Sequence, residues 1–175
     1  MHMLIASKLG ALAVLVGDLS RTAAGELSAS ATAMLFTLHY HGEATASDLA
    51  TVAGITQPTA VRVVGGLVER GLVERAGRLG RSAPLRLTAS GIRAAGALQA
   101  ARLAALHRLL DPLGGDDRAV LERLLDRMLA GATTSRRFAR TVCRQCDHTL
   151  CDGPACPVGS RATAIESPGN GEAEE

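Results

Sequence analysis

The sequence predicts a mainly α fold with a small β-wing, a winged helix-turn-helix set between long flanking helices. Three observations predict it. Apolar residues make up 47% of the 175-residue chain and aromatics only 2%, so the core must be Leu, Val and Ala, which pack best as helices. Two short helical stretches meet at a tight turn containing Gly54. Two runs of alternating residues follow at once and flank a Gly/Arg turn, as in a β-hairpin.

The first helix is expected over Leu4 to Ser20, where Leu4, Ile5, Leu9, Leu12, Leu15, Val16 and Leu19 make a helical stripe. Leu9 to Gly17 resembles the apolar stretch of a signal peptide, but no basic cluster precedes it, and a helix of the mature protein is the expected reading. No apolar run is expected to be long enough to span a bilayer, so no membrane is expected as a partner. Ala24, Gly25 and Glu26 break the helix. Ser28 is placed to cap a second helix over Ala29 to Tyr40.

Thr45 caps a short helix, Ala46 to Ala53, that Gly54 ends. Thr56 is expected to cap the next, with Pro58 in its first turn, running to about Glu69. Leu72 to Arg75 and Leu85 to Leu87 alternate as strands around the Gly77 to Ser82 turn, with Pro84 at a strand start where it does least harm. Thr88 caps a helix over Ala89 to Leu110. Pro112 to Gly115 breaks the chain before another helix that starts at Asp116 or Asp117 and reaches Met128. A further helical stretch, Ser135 to Arg144, leads into four cysteines. Beyond Pro157 the chain is small, polar and acidic, and disorder is expected.

The divisions predicted are therefore an N-terminal dimerisation helix (1–27), the winged helix-turn-helix (28–91), C-terminal dimerisation helices (92–142), a Cys-rich segment (143–156) and a disordered tail (157–175).

Charge sharpens this. The net charge is only +2, yet residues 143–175 hold two Arg against six acids, which leaves 17 basic and 11 acidic residues before them. Between Pro58 and Arg93 there are seven Arg and two Glu, the electrostatic footprint of a nucleic-acid binder. Within Gly54 to Arg75, the positions Ala60, Val63, Val64 and Leu67 share a core face. Gln57, Pro58, Val61, Arg62 and Gly65 share the opposite one. A helix entering a major groove needs that division, one side anchored and the other offering short polar groups and a cation to base edges and phosphates. Gln57 offers paired donor and acceptor groups, Thr59 and Arg62 donate, and Val61 suits a thymine methyl. Gly65 and Gly66 cost about 0.5–1 kcal/mol each mid-helix. They mark either a close backbone approach or a cost tolerated by tertiary packing.

These pieces resemble the MarR family of winged-helix regulators over about residues 5–130. Leu27-Ser28 stands where the family has Leu-Thr, and Ala46-Ser47-Asp48-Leu49-Ala50 resembles its "xxxELA" helix. Gln57-Pro58-Thr59 with Arg62 is similar to its recognition helix. Gly71-Leu72-Val73-Glu74-Arg75 and Leu87-Thr88-x-x-Gly91 resemble its "GLVxR" strand and "LTxxG" turn. The resemblance implies a cytoplasmic, bacterial homodimer that binds double-stranded DNA at a palindromic operator. It implies repression, released by an unknown small-molecule effector, by metal or by thiol oxidation. It places Thr45, Gln57, Pro58, Thr59, Val61, Arg62, Arg78 and Arg81 at the DNA, with Arg81 as the wing-tip arginine. The family's Asp two residues before that arginine is Leu79 here, so its salt bridge is missing and Arg78 is available to share the contact. The alternative reading is a winged-helix protein–protein interaction module without operator binding. An enzyme is not expected, because no nucleophile–base pair or Gly-rich phosphate loop is present.

All four cysteines, Cys143, Cys146, Cys151 and Cys156, fall in one C-x2-C-x4-C-x4-C stretch that also holds His148. Four soft ligands suit tetrahedral Zn2+, the one cofactor expected. A redox switch, with Arg137, Arg140 and Arg144 lowering a thiol pKa, is the rival reading. An iron–sulfur cluster and ordinary thiols stay open. His2, His39, His41 and His107 read as surface or boundary residues. Arg136, Arg137 and Arg140 read as a solvated helix face.

Overall fold

A computed structural model of the chain describes residues 2–77 and 83–167. Eight helices and one hairpin follow in order: α1 (His2–Ala24), α2 (Ala29–His41), α3 (Ala46–Ala53), α4 (Gln57–Glu69), β1 (Val73–Arg75), β2 (Leu85–Leu87), α5 (Ala89–His107), α6 (Gly115–Ala132), α7 (Arg136–Val142) and α8 (Pro157–Glu166). The mainly α fold with a small β-wing is what the sequence predicts.

α2 is the centre of the reading domain. Residues Ala31 to Leu38 are all buried, so this helix is apolar on every side, as a core helix is. Ser28 caps it as expected, its Oγ accepting from the Ala31 amide at 3.1 Å. Around α2 pack Leu49 and Ala50 of α3, Ala60, Val64 and Leu67 of α4, Val73 and Leu85 of the hairpin, and Ala95 of α5. Phe36, Met34 and Leu35 fill the space that a chain almost without aromatics has few other means to fill.

The hairpin pairs Val73 with Leu87, Glu74 with Arg86 and Arg75 with Leu85 in antiparallel register. Glu74 Oε1 accepts from Arg86 Nε across the ribbon at 2.8 Å. A third segment, unforeseen from the sequence, closes the other edge: Ala44 exchanges both backbone hydrogen bonds with Leu85, at 2.8 and 3.1 Å. The wing is thereby tied to the chain just before α3. Its tip, with Gly80, lies outside the described residues.

α1 packs on α5 and leaves Met3, Leu4, Ile5, Leu9, Leu12, Val14 and Leu15 exposed. It is longer than predicted, and Met3–Ala24 is long and apolar enough to cross a membrane by length and composition. This corrects the expectation that no stretch reaches that length. Lys8 and Asp18 interrupt the apolar run, but are too few to take the helix as a whole below that length and composition.

The predicted disordered tail, 157–175, is corrected over its described part, and residues 168–175 lie outside the described residues. Residues 157–166 form α8, with Val158 and Ala162 buried against Ala139 of α7 and α8 lying along α6. Pro157 occupies the first turn, where its missing N–H costs nothing. Arg136 reaches across to Glu166 Oε2 at 2.8 Å and to Thr163 Oγ1 at 2.9 Å, so this arginine is not part of a merely solvated face. The small, polar residues that read as disorder are held by these long-range contacts.

Candidate nucleic-acid interface and the cysteine cluster

α3 and α4 meet at Gly54, whose φ of +68° ends α3 in the left-handed conformation that glycine adopts without cost. Thr45 and Asp48 make a capping box at the start of α3. The Asp48 amide donates to Thr45 Oγ1 at 3.2 Å, and the Thr45 amide donates to Asp48 Oδ2 at 3.1 Å. The Thr45 hydroxyl also donates to Asp48 Oδ2 at 2.6 Å. These bonds hold the Asp48 carboxyl below its ordinary pKa. Thr45, singled out as a DNA contact, thus spends its hydroxyl inside the protein.

Along α4 the buried residues are Ala60, Val64 and Leu67, while Gln57, Pro58, Val61 and Arg62 are exposed on the other side. Val61 is an apolar side chain left 52% exposed. Thr59 is half-buried and pairs its hydroxyl with that of Thr56 at 3.0 Å. That contact corrects the expected cap. Thr56 takes the N-cap position in extended conformation, but its hydroxyl makes no capping bond. Gln57 Nε2 donates to Ser47 Oγ at 3.1 Å, which ties the first turn of α4 to α3. Ser47 was not singled out in the sequence, and a bond across ten residues between two side chains has no periodic signature. Between α3, α4 and the wing base lies a cavity of about 270 Å³ lined by Thr45, Gln57, Val61 and Arg75 among others. Arg78 and Arg81 lie outside the described residues.

Gly65 and Gly66 sit in α4 with open space where a Cβ would be. The described chain therefore gives no packing reason for either.

Behind this surface stands the cysteine segment, which joins α7 to α8. The backbone closes it turn by turn. The Cys146 amide donates to Cys143 O at 2.9 Å and the Cys151 amide to Asp147 O at 2.9 Å. The Gly159 amide donates to Cys156 Sγ at 3.2 Å. Cys143 and Cys151 pack with buried Cys156 in one small apolar cluster. A donated hydrogen bond from Cys143, helped by His148 and Arg102, lowers the Cys146 thiol to a pKa of about 6 despite its burial. The same contact, with burial, pushes the Cys143 thiol up. Burial and the neighbouring Cys156 raise Cys151 to about 12. Among the described residues, no group of three or more His, Cys, Asp or Glu is arranged as it stands to hold a metal ion.

The segment is fastened to both neighbouring layers. Gln99 Nε2 and Arg102 Nη1 of α5 donate to the Gln145 carbonyl at 3.3 and 3.0 Å. The His148 ring lies 5.3 Å from that of Tyr40 and 4.7 Å from that of His41, both on α2. Burial, then Asp147, raises the Tyr40 phenol to about 12, and burial beside His148 lowers His41. A cavity of about 930 Å³ opens here, lined by Tyr40, His41, Asp48 and Val52 on one side and by Arg136, Arg140, Arg144, His148 and three of the cysteines on the other. His41 thus belongs to a cavity wall, where sequence reading left it an ordinary boundary residue.

Comparison with known proteins agrees with this geometry. Residues 26–82 match the family model described as MarR family. The crystal structure of RV1404 from Mycobacterium tuberculosis is 20% identical, with a TM-score of 0.68 over 77% of this chain and 96% of that one. The PcaV transcriptional regulator from Streptomyces coelicolor is 26% identical, with a TM-score of 0.55 over 70% of this chain and 96% of that one. The Mycobacterium tuberculosis MarR family protein RV2887, solved in complex with p-aminosalicylic acid, is 26% identical, with a TM-score of 0.51 over 69% and 97%. No curated protein matches the sequence.

Proposed function

We propose, from the match of residues 26–82 to the MarR family model, that the chain is a DNA-binding transcription regulator acting as a homodimer. The observation that carries this reading is the two-sided α4. Ala60, Val64 and Leu67 anchor it, and Gln57, Val61 and Arg62 are left facing solvent on a helix whose N-terminus is free to enter a groove. Two such helices related by a two-fold axis reach successive major grooves about 34 Å apart, which requires a palindromic operator. Pro58 and Thr59 lie in the first turn, near phosphates, and Arg78 and Arg81 supply the wing contacts to the minor groove.

The dimer is supported by the apolar residues left uncovered on α1 and α6. Leu12 and Leu15 on one and Val120, Leu124, Leu125, Met128 and Leu129 on the other are too many for an ordinary monomer surface. Repression follows if the operator overlaps a promoter. Release follows if a small molecule shifts the dimer toward a form that no longer fits the operator. The 930 Å³ cavity behind α3 supports such an input, since it has the size of a ligand site and arginines to meet an anion.

The test is selection of binding sites from random duplex DNA by the full chain, followed by affinity measurements at several salt concentrations. The expected result is an enriched inverted repeat and an affinity that falls steeply with salt. Failure to enrich any sequence would remove the reading.

A further inference from the structure

We propose that Cys143, Cys146, Cys151 and Cys156 together form a tetrathiolate site for one zinc ion, seated between the back of the helix-turn-helix and α5. The inference stands on the cysteine segment alone and holds whether or not the chain binds DNA.

Residues 143–152 form no regular element, yet they are folded tightly by turns that begin or end at cysteines. Cys143 and Cys146 stand at the two ends of one such turn, closed by the 2.9 Å backbone bond between them. At the other end of the segment, the Gly159 amide points at Cys156 Sγ. A Cβ on residue 159 would stand 3.2 Å from that sulfur, tighter than ordinary contact, so glycine is what lets the amide approach.

The four thiols also share one place. Cys143, Cys151 and Cys156 pack in one cluster, and Cys146 lies beside Cys143. That cluster is too small to hold an irregular loop by apolar burial. Its other members are only Ala139, Val158 and Ala162. A metal that crosslinks the loop would add to the Gln99 and Arg102 hydrogen bonds and the His148 ring contacts that fasten it.

The surroundings suit the charge. A zinc ion with four thiolates carries two negative charges. Arg140 and Arg144 line the adjoining cavity, and Arg102 is half-buried with its Nε lacking a hydrogen-bond partner among the described residues. Binding turns the four sulfurs to one centre, and each thiol releases its proton to solvent. The ion then fixes the α7–α8 cap where it touches α3. Thr141 Cγ2 stands 3.9 Å from where a Cβ on Gly54 would be, so the cap abuts the turn of the helix-turn-helix itself.

The experiment is elemental analysis and thiol counting on the full chain purified without oxygen, then titration of chelator-stripped protein with Zn2+ or Co2+ alone. The expected result is about one zinc per chain, with thiols that react only when a chelator or mercurial releases it. Co2+ should give the visible absorption of a tetrahedral thiolate site. Cys143→Ser, Cys146→Ser, Cys151→Ser and Cys156→Ser should each weaken zinc binding at least tenfold. Four freely reactive thiols that take up no added zinc would overturn the proposal, as would a disulfide recovered from the anaerobic protein. So would acid-labile sulfide with a coloured cluster, or full zinc retention by any of the four variants. Should a variant fail to fold, the thiol count and Co2+ spectrum of the unaltered chain still decide.

Discussion

A Cβ placed on Gly91 would stand 1.9 Å from the carbonyl oxygen of Leu72. The start of α5 is pressed against the strand-bearing segment at that point, and Thr88 holds it there. The Thr88 amide donates to Leu72 O at 3.1 Å, its hydroxyl donates to Gly71 O at 2.7 Å, and the Gly91 amide donates back to Thr88 Oγ1 at 3.0 Å. Gly91→Ala must therefore move backbone against backbone. It should lose about 3 kcal/mol or more, at or above the upper end of ordinary overpacking. Urea unfolding of the purified variant measures this, and a loss below about 1 kcal/mol would mean that the two segments separate easily.

The threonine–glycine turn was readable from the sequence, and its physical reason was not. Caps such as Ser28 and Thr88 and the spacing of Ala60, Val64 and Leu67 leave local signatures, so the winged helix could be placed element by element. α8 leaves none. Its Pro, Gly, Ser and Ala content reads as linker, and what orders it is Arg136 reaching Glu166 from thirty residues away. The same holds for Ala44 at the wing edge and for Ser47 under Gln57, where a single long-range bond has no period to detect. The closeness of the four cysteines to the helix-turn-helix was hidden for the same reason, since it depends on how α7 meets α3.

Thr45 and Asp48 give a prediction that separates capping from DNA contact. Thr45→Ala should cost about 1 kcal/mol of stability, whereas Thr45→Ser, which keeps the hydroxyl, should cost little. Asp48 is held below its ordinary pKa by Thr45. Its contribution is therefore fully present above the ordinary carboxylate range and disappears as pH falls through the lowered value. Asp48→Asn should flatten that part of the stability–pH curve. An unchanged curve in the variant would remove the carboxylate from the account.

Arg62 is exposed on α4 and forms no ion pair among the described residues. If it meets a phosphate, Arg62→Ala should weaken binding to all sequences alike and reduce the slope of log affinity against log salt by about 1. Gln57→Ala should instead relax base preference at one position of each half-site, by about 1–3 kcal/mol. Equal loss of affinity and preference in both variants would contradict this division of roles.

Gly65 and Gly66 face open space, so replacing them tests what they are for. Gly65→Ala and Gly66→Ala should each stabilise the folded chain by about 0.5–1 kcal/mol, the helical advantage of alanine. Gly65 shares the exposed face of α4 with Val61 and Arg62. A Gly65→Ala chain that is more stable but binds DNA more weakly assigns that glycine to close approach of the duplex. Unchanged binding assigns it to tolerated sequence drift.

Leu12 on α1 is 45% exposed and Leu124 on α6 is 43% exposed, and each lies among other uncovered apolar side chains. In a dimer joined by these helices both are covered, and a charge at either position would be buried without a partner. Leu124→Glu should therefore shift the chain to monomer in sedimentation velocity while leaving the reading domain folded, because Leu124 lies outside the cluster around α2. Operator affinity should fall together with the dimer, since a monomer reaches only one half-site. Leu12→Glu should do the same through α1. It also separates the soluble reading of that helix from insertion into a bilayer, since a helix destined for lipid would carry the unaltered chain, and not the variant, into the membrane fraction. A Leu124→Glu chain that remains dimeric at micromolar concentration would move the interface elsewhere on the molecule.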